Sequence, residues 1–239
     1  MLKCPLEIIP NVYQLSIRAT NIILIAEEEL TLIDTGLPGS STRITDFIHS
    51  LGRSVEEVNL IIITHNHFDQ AGGLAELKKL IKAKVAVHKA DITSNEEHLP
   101  YPGVIRRLLQ RLLQRLLRNP LFYTLRSTLL LKPSDVDIPL AGGEVLKPLG
   151  GLEVIHTPGH TPGSISLFSP KNKLLLIGDA LNKHRKTLRL PPKMASTDLT
   201  QAIESIKEMA RLDVDILCLG HGRPLTEDVH SKMQDLIKK

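Results

Sequence analysis

Two histidines and an aspartate stand at alternate positions in Thr64-His-Asn-His-Phe-Asp-Gln-Ala-Gly-Gly73, as His65, His67 and Asp69. The segment directly follows an apolar run. In an extended chain alternate side chains point the same way, so these three can converge on one point. Two imidazoles and a carboxylate meeting there suit a first-row metal such as zinc. Gly72 and Gly73 then permit a tight turn into the next helix. Three further segments put a ligand-type side chain beside glycine after an apolar run. They are Thr157-Pro-Gly-His-Thr-Pro-Gly163, Ile177-Gly-Asp-Ala180 and Leu219-Gly-His-Gly-Arg-Pro224, which carry His160, Asp179 and His221. A single loop histidine or aspartate is usually just solvated. Four such sites at strand ends are more than chance supplies, and loops at the edge of a rigid sheet are where catalytic groups gather.

The elements that must position these loops are legible as short runs. Val12–Ile17, Asn21–Ala26 and Leu30–Ile33 are β-rich and separated by polar residues, which predicts strands. Asp34-Thr-Gly36 ends the third with turn chemistry. Ser40 or Ser41 can cap a helix through about His49, with Gly52 as its stop. Val58–Thr64 is apolar throughout its middle, which predicts a central strand. A helix over about Gly73–Lys82 and a strand over Lys84–His88 follow. Later strands are expected at Asp137–Leu140, Leu152–Thr157, Ser164–Phe168, Lys173–Ile177 and Asp215–Leu219. Thr197 or Asp198 caps a helix to about Leu212, and a last helix runs from Thr226 with Glu227 and Asp228 in its first turn. Strand-rich segments alternate with helices in two comparable halves. That predicts two sheets packed together with helices outside.

The middle of the chain reads differently. Val104–Arg118 spells VIRRLLQRLLQRLLR, an amphipathic basic helix with leucines on one face, ended by Asn119-Pro120. Packing of its leucine face on the fold, as a lid or outer helix, is the plain expectation. A flap over an apolar pocket or a homodimer contact through residues 104–118 is the sharper one. Tyr101, Phe122 and Tyr123 flank it and are expected in the core. Lys183-His-Arg-Lys186 followed by Arg189 offers charge for an anionic group, with a solvated surface loop as the commoner reading. His49, His88, His98, His156 and His230 have no constellation around them.

Composition narrows the function classes. The chain has 239 residues, 42% hydrophobic and 23% charged, which excludes a disordered or collagen-like chain. Lys plus Arg exceed Asp plus Glu by 30 − 26 = 4, and aromatics make up 3% with no Trp. Neither favours nucleic acid as a partner. Two cysteines are too few for a disulfide scaffold or a thiolate metal site, and Cys218, in an apolar run, reads as a buried thiol. The N-terminal residues lack an apolar signal core, and no apolar run is long enough for stable membrane insertion. A cytoplasmic location is therefore expected. Ser164 and Cys218 have no elbow-type context, which disfavours a covalent nucleophile.

Taken in order, His65, His67, Asp69, His160, Asp179 and His221 resemble the metallo-β-lactamase superfamily. Its pattern is a His-x-His-x-Asp-His loop, a later His, a bridging Asp and a final His. Leu32-Ile-Asp-Thr-Gly36 is similar to that family's first motif, and the resemblance runs from about Val12 to Leu225. It implies an α/β fold, a four-layer αββα sandwich in one domain, with a helical insertion at about 100–131. It implies that His65, His67 and His160 hold one metal, that Asp179 bridges, and that Asp69 and His221 hold a second. Asp34 would orient the ligand loops by hydrogen bonds.

One position departs from the pattern: Gln70 stands where the loop should end in His. A carboxamide oxygen is a neutral, weaker donor for zinc than imidazole. The second site then keeps Asp69, Asp179 and His221 as its sure ligands, and zinc is expected at one or two ions per chain, with iron or manganese as alternatives. With one metal, Asp69 is free to act as a general base; Asp69 and Asp179 are thus the catalytic carboxylates. The resemblance implies a hydrolase that uses metal-activated water on an ester, thioester or lactone, in the manner of glyoxalase II-like and lactonase-like enzymes. The implied partner is a small-molecule substrate, acyl or otherwise apolar. The substrate-binding residues are not legible. Rival readings are a mononuclear iron oxygenase or a phosphodiesterase of the same fold, and a non-catalytic metal-binding or sensing protein.

Overall fold

In β5 (Val58–Ile63) the last three side chains are all buried, because both faces of that strand are covered. Ile61 and Ile63 pack on one side and Ile62 on the other. The computed structural model describes residues 5–93, 133–185 and 187–238. The expected 100–131 insertion, its 104–118 helix, Tyr101, Phe122, Tyr123, His98, Cys4 and Lys186 lie outside them.

A seven-stranded sheet runs in chain order through β1 (Leu6–Ile9), β2 (Val12–Ile17), β3 (Thr20–Ala26), β4 (Leu30–Ile33), β5, β6 (Lys84–His88) and β7 (Ile138–Leu140). The pairs up to β3–β4 are antiparallel, and those from β4 to β7 are parallel. The second sheet comprises β8 (Val145–Leu146), β9 (Leu152–His156), β10 (Ile165–Ser169), β11 (Leu174–Leu176) and β14 (Ile216–Cys218). Its order is β14-β11-β10-β9-β8. A separate hairpin pairs β12 (Asn182–His184) with β13 (Thr187–Arg189).

Three cores separate four layers. Ile44 and Ile48 of α1 (Ser41–Ser50) and Leu74 and Leu77 of α3 (Leu74–Leu77) pack with Leu24, Ile61, Ile63 and Val85 on the outside of the first sheet. Ile23, Ile25, Ile33 and Ile62 meet Leu152, Val154, Leu167 and Leu174 between the sheets. Ile206 and Met209 of α5 (Leu199–Met209) and Val229 and Met233 of α6 (Val229–Ile237) cover Phe168, Leu175 and Leu217 on the outside of the second. This is the αββα sandwich the sequence implied.

Strand direction brings the site together. β4, β5 and β6 run parallel, so the residues that follow them emerge at one edge. β11 and β14 are parallel, and β9 shares their direction because both β9 and β11 oppose β10. The loops after β9, β11 and β14 therefore gather at one edge too. The Ile165 amide donates to the Thr64 carbonyl at 2.9 Å, which joins the two edges.

Several local expectations need correction. The helix expected at Gly73–Lys82 is shortened to α3, and a separate turn of helix, α2 (Phe68–Ala71), precedes it across Gly72 and Gly73, which are pressed against Pro38 and the Thr35 carbonyl. Residues 183–185 belong to the β12–β13 hairpin and not to a plain loop, anchored by the buried Leu188. Asp228 precedes α6 as its N-cap at φ 53°, so the acidic residues lie before the first turn and not in it. Strands β1 and β8 and the short helix α4 (Lys89–Thr93) add to the expected set.

The inter-sheet core predicts a stability test. Replacing fully buried Ile62 with Ala is expected to cost about 2–5 kcal/mol. Urea unfolding should show the loss as a lower midpoint at an unchanged slope; a midpoint equal to wild type would show that the two sheets do not pack through this residue.

Candidate metal centre

His65 and His67 follow β5, and His160 follows β9 on the turn 157–163. Their three rings stand mutually near-perpendicular, at 80°, 83° and 82°, with centroids 4.7–4.8 Å apart. His160 Nε2 lies 3.0 Å from His67 Nδ1. One donor atom from each ring falls within a common 4.8 Å. Imidazoles that merely fill a core have no reason to aim nitrogens at one another. Neither His65 Nε2 nor His160 Nδ1, both buried, has a hydrogen-bond partner among the described residues. Burial holds the His65 imidazole well below its ordinary pKa and that of His160 at about 4, the latter despite Asp179. Both rings are thus neutral at pH 7, the state a metal requires.

Asp69, Asp179 and His221 form a second triad with the same spacing. His221 Nε2 lies 3.2 Å from Asp179 Oδ2 and 3.4 Å from Asp69 Oδ2. The same Asp179 Oδ2 is 3.6 Å from His160 Nε2 and 4.0 Å from His65 Nε2. Asp179 therefore stands between the triads. Hydrogen bonds to Asp179 and Asp69 push the His221 imidazole up to about 11. Burial opposes ionisation of Asp69, but the hydrogen bond and charge of His221 outweigh it and hold that carboxyl below its usual range. The imidazolium is a cation lodged between two carboxylates. All six sequence-predicted donors are thus brought together, and the set suits a divalent ion: three imidazoles at one triad, two carboxylates and an imidazole at the other.

Asp34 reaches this centre through Thr64. Its Oδ1 accepts from the Thr64 amide at 2.8 Å and its Oδ2 from the Thr64 hydroxyl at 2.8 Å. Thr64 Oγ1 lies 3.1 Å from His65 Nδ1. When Asp34 is ionised, the hydroxyl proton goes to the carboxylate. The Thr64 oxygen must then accept from His65 Nδ1–H, which leaves His65 Nε2 without a proton and aimed at the other donors. Complete burial raises the Asp34 carboxyl to about 8, against the lowering effect of the Thr64 bonds.

Two further clamps carried no sequence signal as site residues. Asn21 Nδ2 donates to the carbonyls of Leu219 and Gly222 at 2.8 and 2.7 Å, and its amide donates to Gly220. It holds both sides of His221, whose Nδ1 lies 2.8 Å from the Ala19 carbonyl. Asp91 of α4 bonds to both histidine loops. His88 and His156, expected to be isolated, stack at 4.0 Å with rings 14° apart, and His156 Nε2 lies 2.9 Å from the Pro162 carbonyl.

Gln70 is fully buried, and neither atom of its amide has a hydrogen-bond partner among the described residues. A Cβ at Gly220 would fall 2.1 Å from Asp179 Oδ1 and 3.1 Å from Gln70 Nε2. The side chain of Gln70 thus lies close to the second triad, and only glycine fits at 220. Ser164 is occupied with the backbone of Thr161, and Cys218 is a buried free thiol held up at about 12 by burial, so neither is a nucleophile. His184 is exposed on β12.

A family model described as the metallo-beta-lactamase superfamily matches residues 16–221. The probable metallo-hydrolase YflN of Bacillus subtilis is 28% identical over 92% of this chain and 87% of its own length. An N-acyl homoserine lactonase from a Bacillus species is 24% identical, covering 83% of this chain and 79% of that protein. The metallo-beta-lactamase family protein TTHA1429 from Thermus thermophilus superposes with a TM-score of 0.73 at 23% identity. That match covers 97% of this chain and 80% of the other and is a likeness of fold.

The buried Asp34 carboxyl predicts a pH dependence. Its native pKa of about 8 lies above the unfolded value of 3.8, so the native state binds the extra proton. Its contribution is fully present below pH 4 and is lost as pH rises through 8, with a slope of order 1 kcal/mol per unit between them. In chelator-treated protein, the stability difference between wild type and Asp34→Asn should fall with pH over that window. A difference that stays flat would show that Asp34 ionises freely.

Proposed function

The chain belongs to the metallo-beta-lactamase superfamily, and we propose that it is a metal-dependent hydrolase of an ester, thioester or lactone. The observation that carries this reading is Asp179 Oδ2, which lies within 4.0 Å of nitrogens from both triads. His65, His67 and His160 would hold a divalent cation, zinc on the chemistry of the donors. Asp179 would be shared with a second position made by Asp69 and His221. A bound cation would supply Lewis acidity, which brings the pKa of water from 15.7 to about 7. With a cation at the three-histidine position alone, Asp69 Oδ2, 3.4 Å from His221 Nε2, would be free to accept a proton from the attacking water. Asp34 and Thr64 keep His65 Nε2 in its ligating form, and Asn21 keeps His221 in place.

Gln70 supports an asymmetric centre. Its amide supplies a neutral oxygen where an imidazole would bind zinc better, so the three-histidine position is the tight one and the Asp69–Asp179–His221 position the weak one. Its unsatisfied buried atoms favour a cation or a water nearby over an apolar contact. The likeness to an N-acyl homoserine lactonase supports an acyl-bearing, cyclic ester as the first substrate to try. A small-molecule substrate is the partner proposed. A homodimer through 104–118 and a cytoplasmic site of action remain part of the proposal; among the described residues no helix is long and apolar enough to cross a membrane.

Metal content measured alongside hydrolysis of acyl-homoserine lactones, thioesters and phosphodiesters tests this. Replacing His65 and His67 with Ala should remove the metal and lower kcat/KM by at least about 10²–10³-fold. Gln70→His should raise zinc from about one to about two ions per chain, with a gain in rate. A double variant that keeps both metal and rate overturns the hydrolase reading. Oxygen uptake by iron-loaded protein without hydrolysis would replace it with the oxygenase. Two tightly held ions in wild type would overturn the asymmetric centre.

A further inference from the structure

We propose that Asp91 is a positioning residue for the three-histidine cluster, its carboxylate clamping the loop of His65 and His67 to the loop of His160. The two loops come from different sheets, and beyond the backbone bond from Ile165 to Thr64 no ladder among the described residues fixes the distance between them. His65 and His67 continue β5 of the first sheet, and His160 lies on the turn between β9 and β10 of the second. Asp91 sits in α4, directly after β6, at the edge where β5 also ends.

Its hydrogen bonds divide between the two loops. Asp91 Oδ2 accepts from the backbone amide of Asn66 at 2.8 Å, and Asn66 is the residue between the two histidines. The same oxygen accepts from the hydroxyl of Thr161 at 2.8 Å, the residue directly after His160. Oδ1 accepts from the Gly163 amide at 2.6 Å. The Asn66 side chain returns a bond from Nδ2 to the Asp91 carbonyl at 3.1 Å. Thr161 is held in turn by Ser164, whose Oγ lies 3.0 Å from its amide nitrogen. One carboxylate with 1% of its surface exposed thus sets where a backbone point beside His67 stands relative to a backbone point beside His160. Across this clamp His160 Nε2 lies 3.0 Å from His67 Nδ1.

The chemistry requires a carboxylate at this position. Three donors converge on two oxygens, and bonds to an ionised acceptor are about twice as strong as neutral ones. An asparagine would turn an N–H₂ towards at least one of those donors and break its bond. The space is equally specific. A Cβ at Gly163 would lie 2.6 Å from Asp91 Cγ and Oδ1, so Gly163 is the residue that lets this amide approach. Asp91 belongs to neither donor triad and acts only through the histidines.

The inference rests on the reading of His65, His67 and His160 as a metal site, and its test separates the two. Zinc affinity by competition with a chromophoric chelator, and the visible spectrum of the cobalt(II) form, would be compared for wild type, Asp91→Asn and Thr161→Val. Asp91→Asn should bind zinc about 10–100-fold more weakly, the usual effect of losing a residue that orients ligands. Its cobalt bands should shift in position and intensity while far-UV circular dichroism stays unchanged. Thr161→Val, which removes one donor and spares the carboxylate, should show a smaller loss in the same direction. Zinc affinity within about twofold of wild type in Asp91→Asn, with wild-type cobalt bands, overturns the proposal. If Asp91→Asn does not fold, unchanged affinity and spectrum in Thr161→Val overturn it. Wild type that binds neither ion overturns the metal centre itself, a result distinct from variants that bind as well as wild type.

Discussion

Apart from His221 between the Asp69 and Asp179 carboxylates, the nitrogens and oxygens that face one another at this partly dry edge have little attraction to hold them there. Imidazoles gain little from contact with one another, and two carboxylates repel. What keeps them convergent is a layer of buried hydrogen bonds behind them. Asp34 holds Thr64 and through it His65, Asn21 holds both flanks of His221, and Asp91 joins the loops on either side of the cluster. Each of these three side chains is at most 3% exposed, so each bond is made in a medium where losing it leaves a buried group unsatisfied. The sandwich supplies rigid strand ends, and these bonds convert rigid ends into fixed donor positions.

Proton traffic and cation binding are coupled at this edge. Burial keeps His65 and His160 unprotonated, so their lone pairs are ready. Asp69 and Asp179 instead keep a proton on His221. A divalent ion entering between the carboxylates would replace one positive charge with two and release that proton. The neutral carboxyl of Asp34 belongs to the same balance, since positive charge at the cluster favours its ionised form and with it the ligating tautomer of His65.

The donors were legible because of where they stand in the chain. His65, His67 and Asp69 directly follow the apolar run of β5, and His160, Asp179 and His221 each lie beside a glycine that the structure needs for close backbone approach. Val58–Ile63 and the two-sheet plan were legible for the same reason: alternation and continuous apolar runs report which strand faces are covered. The supporting residues were not. Asp91 sits in a five-residue helix with no pattern of its own, and its partners are 25 to 72 residues away. Asn21 reads as an ordinary polar residue at a strand end, and its role depends on Leu219 and Gly222 some 200 residues later. Strand β1 escaped notice because it is an exposed edge between Pro5 and Pro10, where burial imposes little alternation. The β12–β13 hairpin was masked by its charge, since its one buried leucine gives no alternation to read.

Asp179 has one consequence for occupancy that its position alone dictates. A single oxygen within reach of both triads cannot be counted as an independent ligand of each. Were both positions to take a cation, loading one would alter the free energy of loading the other, and linkage requires the factor to be the same in either direction. If both positions take a divalent ion, a positive sign would appear as a titration that two independent dissociation constants cannot describe, and a negative sign as two unequal affinities.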